Sequence, residues 1–217
     1  MGRASGARGR GHPRAGQELD VGRLLNAALD AFAENGYDGT SVRELNRRLG
    51  VSHGLLSARF GSKEALWFAA MEHAMAGPEE SWRQLAETPG LDDLEVLRQG
   101  IILQVMFSSA YPQVVRILSH EGAIDSPRIR FIFERIINAL RPLLEPRLNR
   151  LIRDGRIRPV SYATVHFLVV YGSGAPFANT VESALLGAPE LRAPADLRQH
   201  AEAMADILVS GLAVPPT

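Results

Sequence analysis

Apolar residues recur at steps of three and four along most of this chain, and short stretches containing glycine and serine separate the stripes. The first stripe comprises Val21, Leu24, Leu25, Ala28, Leu29, Phe32 and Ala33. This spacing places the side chains on one face of an α-helix, because an α-helix repeats every 3.6 residues. No pair of strands or hairpin turn is indicated anywhere in the pattern. The sequence therefore predicts an all-α fold of about nine or ten helices.

Composition excludes several classes of protein and site. The 217 residues contain no cysteine, which excludes disulfide scaffolds, cysteine-ligated metal centres and thiol catalysis. No apolar run reaches the roughly 18 residues that a membrane span needs, and no apolar stretch follows the basic N-terminus as in a secretory signal. Metalloprotease, serine-hydrolase and nucleotide-binding motifs are absent as well. We therefore expect a cytoplasmic protein that is not an enzyme, holds no cofactor or metal and has no membrane partner.

Positive charge is concentrated at the start of the chain, although the net charge is zero. Residues 1–67 contain ten Lys and Arg against seven Asp and Glu, and the remaining residues contain fourteen against seventeen. Residues 1–16 hold four arginines, no acidic residue and no large apolar side chain after Met1, which predicts a disordered basic arm. A basic first part beside an acidic remainder favours contact with a polyanion through the first part.

Residues 41–60 are predicted to form two short helices joined by a tight turn at Gly50. Ser41 and Glu44 have the spacing of a capping box, and Ser52 is predicted to cap the second helix. Two helices in this arrangement form a helix-turn-helix, whose second helix can enter the major groove of DNA. A helical hairpin with a purely structural role has the same pattern, so these residues alone leave both interpretations open.

The later part of the chain is predicted to contain longer helices with interruptions. A helix is expected to end before Pro78, and a long helix beginning near Ser126 is expected to be kinked by Pro142 and Pro146. A further long helix is expected to be interrupted at residues 172–176, where glycine, serine and proline cluster.

The helix-turn-helix segment resembles the tetracycline-repressor (TetR) family of bacterial transcriptional regulators. Residues 32–45, FAENGYDGTSVREL, carry the resemblance, and residues 49–56, LGVSHGLL, and 60–66, FGSKEAL, continue it. The match extends from about Leu24 to Trp67. Beyond Trp67 the family diverges, and only helix lengths can be compared.

The resemblance implies two domains and a mode of action. Residues 17–67 would form the DNA-binding domain, and residues 68–217 would form a larger helical domain for ligand binding and dimerisation. The protein would be a ligand-responsive regulator, a repressor, that binds a near-palindromic operator in double-stranded DNA as a homodimer. The last two long helices would form the dimer, and a small-molecule effector would release it from DNA. When bound to DNA it would be associated with the nucleoid.

The resemblance also implies DNA contacts for individual residues. Thr40 and Ser41 would contact phosphate, Arg43 would contact phosphate or a base, and Lys63 would meet phosphate at the start of the fourth helix. The second helix of the motif and the residues just before it would face the major groove. The residues implied are Ser52, His53, Gly54, Ser57 and Arg59. The basic arm could reach the minor groove or phosphates, or it could be a loose tail, and both interpretations stay open.

The motif departs from the family at two positions of its second helix. Most members have tyrosine where Ser57 stands and histidine where Arg59 stands. The usual tyrosine hydroxyl contacts a phosphate, whereas Arg59 adds a charge that could replace this contact or read a guanine. The departure at Ser57 supports an alternative, a helical ligand-binding protein or enzyme of the same fold that has lost DNA binding.

Polar and aromatic residues on the apolar helices of the second part mark a candidate effector pocket. A pocket for a small molecule needs a few polar groups in an apolar lining to orient the ligand. The candidate ligand-binding residues are Gln104, Phe107, Tyr111, His120, His166 and Tyr171. Each could equally be a satisfied core residue or part of a dimer interface. The surrounding residues predict a hydrophobic or aromatic effector.

Overall fold

The computed structural model describes residues 20–188, 191 and 193–214. The basic arm predicted for residues 1–16 therefore lies outside the described residues. Throughout the described part the regular structure is helical, apart from one isolated bridge between Ile157 and Ala213. The all-α class is confirmed.

The first four helices have the order that the sequence predicts. They are α1 (Val21–Gly39), α2 (Val42–Arg48), α3 (Leu55–Phe60) and α4 (Lys63–Glu87). Gly36 has a φ of +69° inside α1, so the chain bends at this residue. Ser62 caps α4 by accepting a hydrogen bond from the Ala65 amide at 3.0 Å, which satisfies one of the free donors of the first turn.

Eight further helices complete the described chain. They are α5 (Asp93–Ala110), α6 (Pro112–Glu121), α7 (Pro127–Ile132), α8 (Asn138–Arg153), α9 (Tyr162–Phe167), α10 (Ser173–Ala178), α11 (Thr180–Leu185) and α12 (Pro194–Leu212). Two π-helical turns, Phe133–Ile137 and Leu168–Gly172, join α7 to α8 and α9 to α10 without leaving helical conformation. No single helix of the described part is long and apolar enough to cross a bilayer, and only α5 with α6, bent by 94°, pass that test together.

The prediction that α4 ends before Pro78 is wrong. Proline inside a helix costs about 3 kcal/mol, but packing on both sides of Pro78 holds α4 together. Met71 and Met75 are buried before it, and Trp82 packs after it against Gly100 of α5. A Cβ atom on Gly100 would lie only 2.4 Å from the Trp82 ring, so this helix crossing requires glycine. Because α4 is continuous, the predicted domain boundary after residue 67 falls inside a helix.

Two other predicted interruptions are displaced along the chain. Pro142 and Pro146 both lie inside α8, and the irregular turn comes before them at Phe133–Ile137. The break expected at residues 172–176 occurs instead at Asn179, between α10 and α11. Gly174 lies inside helix α10. The Val115 and Ser108 side chains lie against it and leave no room for a larger residue.

Buried side chains form two clusters, and α5 contributes residues to both. The first cluster surrounds Trp67 and Phe32 and extends from α1 and α4 to Ile117 and Ile132. The second cluster lies between α5, α8, α9 and α12. Because the first cluster includes residues of α1, α4, α6 and α7, the helix-turn-helix part and the C-terminal part pack directly on each other.

Candidate nucleic-acid interface and effector cavity

The angle between α2 and α3 is fixed by Asn46, a residue that the sequence analysis did not select. Its side chain is only 1% exposed. Its Nδ2 donates to the carbonyl oxygen of His53 at 3.0 Å, and its Oδ1 accepts from the amide of Leu56 at 3.3 Å. Gly50, with a φ of +66°, makes the turn that brings α3 back to Asn46.

The prediction that Ser52 caps α3 is wrong. The residue before the helix is Gly54, which has no side chain to cap it, and α3 begins at Leu55. The amide of Leu56 lies in the first turn, so the Asn46 carbonyl oxygen supplies the acceptor that a capping side chain normally provides. A polar residue beside buried Leu45 on the inner face of α2 was the available signal, because buried amides are almost always hydrogen-bonded.

The residues predicted to face DNA on and before α3 all lie at the surface. They are Ser52, His53, Gly54, Ser57 and Arg59. No atom would lie within 4 Å of a Cβ atom at Gly54, so a partner can approach the backbone there closely. The structure therefore leaves all five residues accessible to a partner.

Positive charge at the motif comes from arginines of α2 and α3, and two of them have no carboxylate partner among the described residues. Glu44 binds both Arg47 and Arg48, with the shortest distance 2.5 Å to Arg47. The hydrogen bonds from Arg47 lower the pKa of Glu44 to about 2, so this carboxylate stays ionised. Arg43 and Arg59, in contrast, are exposed and form no ion pair with any residue that the structure describes. They remain available to bind an anion.

Thr40 and Ser41 differ in what their hydroxyl groups can do. Thr40 is buried, and its Oγ1 donates to the carbonyl oxygens of Ala31 and Gly36 at 3.0 and 2.7 Å. Its one hydroxyl hydrogen is therefore used to hold the end of α1 to the start of α2. Ser41 caps α2 by accepting from the Glu44 amide at 3.3 Å. Since Ser41 acts as an acceptor there, its hydroxyl hydrogen can still be donated to an exposed partner.

Lys63 is the first residue of α4 and lies beside the motif. Its Nζ donates to the carbonyl oxygen of Asp38 at 3.3 Å and lies 4.6 Å from the centroid of the Tyr37 ring. The positive end of the α4 dipole and the free amides of its first turn lie at the same helix end and favour an anion there. The site is therefore suited to an anion.

A cavity of about 140 Å³ lies in the C-terminal part of the molecule. Residues of α4, α5, α6, α8 and α9 line it, together with residues of both π-helical turns. Its lining is almost entirely apolar, and the exceptions are Asp93, Gln104, Arg147, Tyr162 and His166.

Three of the six predicted ligand-binding residues line this cavity and three do not. Gln104, Phe107 and His166 are in the lining. Tyr111 lies behind Phe107, with 5.5 Å between ring centroids, and the Tyr171 hydroxyl donates to the Leu118 carbonyl oxygen at 3.4 Å. His120 is exposed beside the bend at Gly36. Sequence spacing identifies aromatic and polar residues on these helices, but not which of them face the same space.

Burial changes the ionisation of the polar groups in the cavity wall. It lowers the pKa of His166, which favours the neutral ring, and it raises the pKa of the Tyr162 hydroxyl. The two rings stack four residues apart on α9, with 6.2 Å between centroids. They present hydrogen-bonding groups without a charge at neutral pH.

The ion pair that lines the cavity joins three helices. Asp93 at the start of α5 accepts from Arg147 at 2.7 Å and from Arg150 at 2.7 and 2.8 Å. Arg147 also donates to the carbonyl oxygen of Ala86 near the end of α4. The sequence analysis missed this site, because residues about 55 positions apart along the chain give no spacing signal.

A second surface feature lies on the last helices. Val181, Leu185 and Leu186 are 74%, 84% and 80% exposed, on α11 and directly after it. Phe167 and Ile207 of α9 and α12 are also exposed. Large apolar side chains that are exposed close together, as on α11, typically mark an interaction surface.

Comparison with known proteins identifies relatives of the whole chain. The profile of bacterial regulatory proteins of the tetR family matches residues 24–70. The HTH-type transcriptional regulator RutR of Escherichia coli strain K12 is 26% identical over 197 residues, which cover 87% of this chain and 88% of RutR.

Two solved structures share the fold. KstR2, a ketosteroid transcriptional regulator of Mycobacterium tuberculosis, has a TM-score of 0.65 at 21% identity, covering 93% of this chain and 99% of its own. FadR of Bacillus subtilis, solved with stearoyl-CoA, has a TM-score of 0.63 at 18% identity, covering 89% and 100%. The fold of this chain is thus an N-terminal helix-turn-helix domain followed by a larger helical domain.

Proposed function

We propose that this chain is a repressor of the TetR family, a DNA-binding transcriptional regulator, and the match of the tetR-family profile to residues 24–70 supports this proposal. It binds a near-palindromic operator as a homodimer, and a small apolar effector releases it. The DNA-binding domain comprises residues 17–67 and the effector and dimerisation domain residues 68–217, with α4 shared between them.

The observation that carries this proposal is the exposed surface formed by α3, by the residues before it and by the start of α2. Arg59 and Arg43 supply positive charge there without a carboxylate partner among the described residues. Ser41, Ser52 and Ser57 add hydroxyl groups, and His53 and the open backbone at Gly54 complete the face. Most hydrogen bonds between proteins and DNA go to phosphate, so Arg59 is assigned first to phosphate and second to a guanine.

Two of the phosphate contacts implied by the resemblance need revision. We leave the Thr40 hydroxyl out of the DNA contacts, because it donates its hydrogen within the chain. Lys63 stays a phosphate contact, but its ammonium group must exchange the Asp38 carbonyl oxygen for the phosphate. The loss is small, since that hydrogen bond is exposed and 3.3 Å long.

The homodimer is supported by the apolar surface of α9, α11 and α12. Val181 and Leu185 lie four residues apart on one face of α11 and are exposed in the single chain. A second copy of the same surface would cover them in a two-fold symmetric interface. The two α3 helices of such a dimer would enter major-groove segments about 34–36 Å apart, or a modest multiple of that distance.

The effector is supported by the cavity rather than by any bound molecule. Its lining is apolar on nearly every side, with Phe107 and Trp82 as aromatic walls, and this favours a hydrophobic or aromatic molecule. The structural relatives are described with ligands of that nature, stearoyl-CoA for FadR and a ketosteroid in the name of KstR2. An effector shifts the DNA equilibrium only through its differential affinity for the bound and free states.

The experiment that tests the DNA-binding part is a gel shift. The purified protein is incubated with the DNA upstream of its own gene at two salt concentrations. We expect a specific shift that weakens steeply with salt, because phosphate contacts release counterions. A reporter behind the same DNA should be silenced by the protein, as a repressor requires.

The alternative, a protein of this fold without DNA binding, predicts a different result. It gives no specific shift against any fragment in a genome-wide selection of bound DNA, even at low salt. That outcome would overturn the proposed function. A salt-independent shift would instead argue against phosphate contacts through Arg43, Arg59 and Lys63.

A further inference from the structure

The effector cavity is long and narrow rather than round. It touches α5 from Asp93 to Phe107, and fourteen residues of α-helix span about 21 Å. It follows α4 from Met71 to Trp82 over a comparable length. A lining that follows two helices over such a length suits an extended chain better than a bulky ring system.

The two ends of this cavity differ in chemistry. The end near the helix-turn-helix part is closed by apolar residues, including Phe107, Val114 and Leu118. The opposite end contains Asp93 and Arg147, which are the only carboxylate and the only guanidinium among the described lining residues. The polar groups between the ends are uncharged. Burial lowers the pKa of His166, and the neutral amide of Gln104 donates to Ser108.

The charged end carries more positive than negative charge. Asp93 is bound through both oxygens by Arg150, at 2.7 and 2.8 Å, and through one of them by Arg147 at 2.7 Å. One carboxylate is thus paired with two guanidinium groups. The neighbouring pair, Asp92 with Arg156, is complete in itself, with two hydrogen bonds of 2.6 and 2.9 Å. The unbalanced cation is therefore the one whose side chain faces the cavity, Arg147.

We propose that the effector is a linear amphiphile with one carboxylate, whose carboxylate binds Arg147 and whose apolar chain extends toward Phe107. This inference rests on the proposed effector cavity and specifies its ligand. A carboxylate at Arg147 makes the cluster neutral and forms charge-assisted hydrogen bonds in a partly buried site. The planar guanidinium matches a carboxylate better than it matches a hydroxyl or carbonyl group.

A matched pair of probes tests the head group with the full-length protein. Dodecanoate and 1-dodecanol share a twelve-carbon chain and differ at one end. Trp82 lines the cavity, whereas the other tryptophan, Trp67, is buried outside it, so tryptophan fluorescence reports occupancy without DNA. We expect dodecanoate to bind at least about tenfold more tightly than 1-dodecanol, which corresponds to about 1.4 kcal/mol. A Trp82→Phe variant should lose the signal.

Three variants assign this preference to Arg147. Arg147→Gln should bind both probes with equal affinity, and Arg147→Lys should keep part of the preference because it keeps the charge. Arg153→Gln is the matched control, since Arg153 is an exposed arginine of the same helix that pairs with its neighbour Asp154. Binding of 1-dodecanol to Arg147→Gln shows that the variant has kept its cavity.

The outcomes separate this inference from the proposed function. Equal binding of the two probes to the wild type, binding of neither, or an unchanged preference in Arg147→Gln would overturn the carboxylate assignment. If Arg147→Gln does not fold, two other results would overturn the assignment. These are an Arg153→Gln variant that no longer prefers dodecanoate and an Arg147→Lys variant that shows no preference for it. A failed gel shift with a clear preference for dodecanoate would overturn DNA binding and leave the ligand assignment standing.

Discussion

The guanidinium group of Arg128 lies flat on the ring of Tyr37, with 3.8 Å between its central carbon and the ring centroid. Arg128 also donates to Glu121 at 2.7 Å, and Glu121 accepts a second hydrogen bond from Ser126. On the other side, the Lys63 ammonium group lies 4.6 Å from the same ring. Tyr37 thus connects the start of α7 in the effector domain to the start of α4 beside the DNA-binding face.

Replacing Arg128 should destabilise the whole molecule. Glu121 is only 5% exposed, so Arg128→Ala leaves a buried carboxylate without its cation, which costs about 3 kcal/mol of unfolding free energy. Urea unfolding measures this loss. Arg130→Ala is the control, since its ion pair with Asp125 is exposed and worth less than about 1 kcal/mol.

A double-mutant cycle identifies the cause of the Arg128 effect. The variant Arg128→Ala with Glu121→Gln removes the buried charge together with its partner, so it should recover part of the lost stability. An Arg128→Ala variant that loses no more stability than Arg130→Ala would show that Glu121 does not depend on this arginine.

Asn46→Ala should reduce both stability and DNA affinity. The substitution removes the acceptor of the Leu56 amide and the donor to the His53 carbonyl oxygen, and each buried group left unpaired costs about 1–3 kcal/mol. Thermal unfolding and gel shifts measure the two effects. Asn35→Ala is the control, because Asn35 is exposed and bonds only within α1. Unchanged DNA affinity in folded Asn46→Ala would show that α3 is oriented by packing alone.

Local signals in the sequence were sufficient to predict the helix-turn-helix. Ser41 caps the helix predicted for it, and Gly50 makes the predicted turn, because each of these features depends on a few adjacent residues. Ser52 failed as a cap because a residue from the preceding helix, Asn46, satisfies the α3 amide instead. The capping box is only half formed for a similar reason, since the Glu44 carboxylate binds Arg47 and Arg48.

The lining of the effector cavity was harder to predict from the sequence. Gln104, Phe107 and His166, which were selected by residue type and helix position, line the cavity, yet Tyr111 and Tyr171 have the same character and lie elsewhere. Which residues share a cavity depends on how helices distant in sequence cross. One such crossing, Trp82 on Gly100, could not be inferred from either residue alone. Pro78 likewise appeared to end a helix that tertiary packing keeps intact.

Arg59→Ala should weaken operator binding more than a comparable change elsewhere. Loss of one arginine contact to DNA costs about 1–3 kcal/mol, which is roughly 5- to 150-fold in affinity. Arg83→Ala is the control, since Arg83 is an exposed arginine of α4 that pairs with Glu79 and Glu80. Equal affinities of the two variants, measured by gel shift, would remove α3 from the DNA interface.

A charge on α11 should prevent dimerisation. Leu185 is 84% exposed in the single chain, so Leu185→Glu is tolerated by the monomer but places a carboxylate in the proposed apolar interface. Sedimentation equilibrium should show a monomer for Leu185→Glu and a dimer for wild type. Ile124→Glu, at an exposed position between α6 and α7, should leave the dimer intact. A dimeric Leu185→Glu would place the interface elsewhere.

The cluster at the charged end of the cavity should make stability depend on pH. Hydrogen bonds from Arg150, and then from Arg147, hold the pKa of Asp93 below its usual range. The unfolded chain therefore binds a proton to Asp93 at a higher pH than the folded chain does. The resulting stabilisation is present above the unfolded-state pKa of about 3.9 and is lost as the pH falls through the lower folded-state pKa.

Asp93→Asn removes this titration and should flatten the acid limb of the stability curve. Urea unfolding between about pH 6 and about pH 3 should show a smaller loss of unfolding free energy for Asp93→Asn than for wild type. At neutral pH the variant should be the less stable of the two, since Arg147 and Arg150 lose their shared carboxylate. Asp154→Asn is the control, because Asp154 is exposed and pairs only with its neighbour Arg153. If Asp93→Asn loses as much stability in acid as wild type, the acid limb is set by other carboxylates, of which Asp92 beside Arg156 is the first to examine.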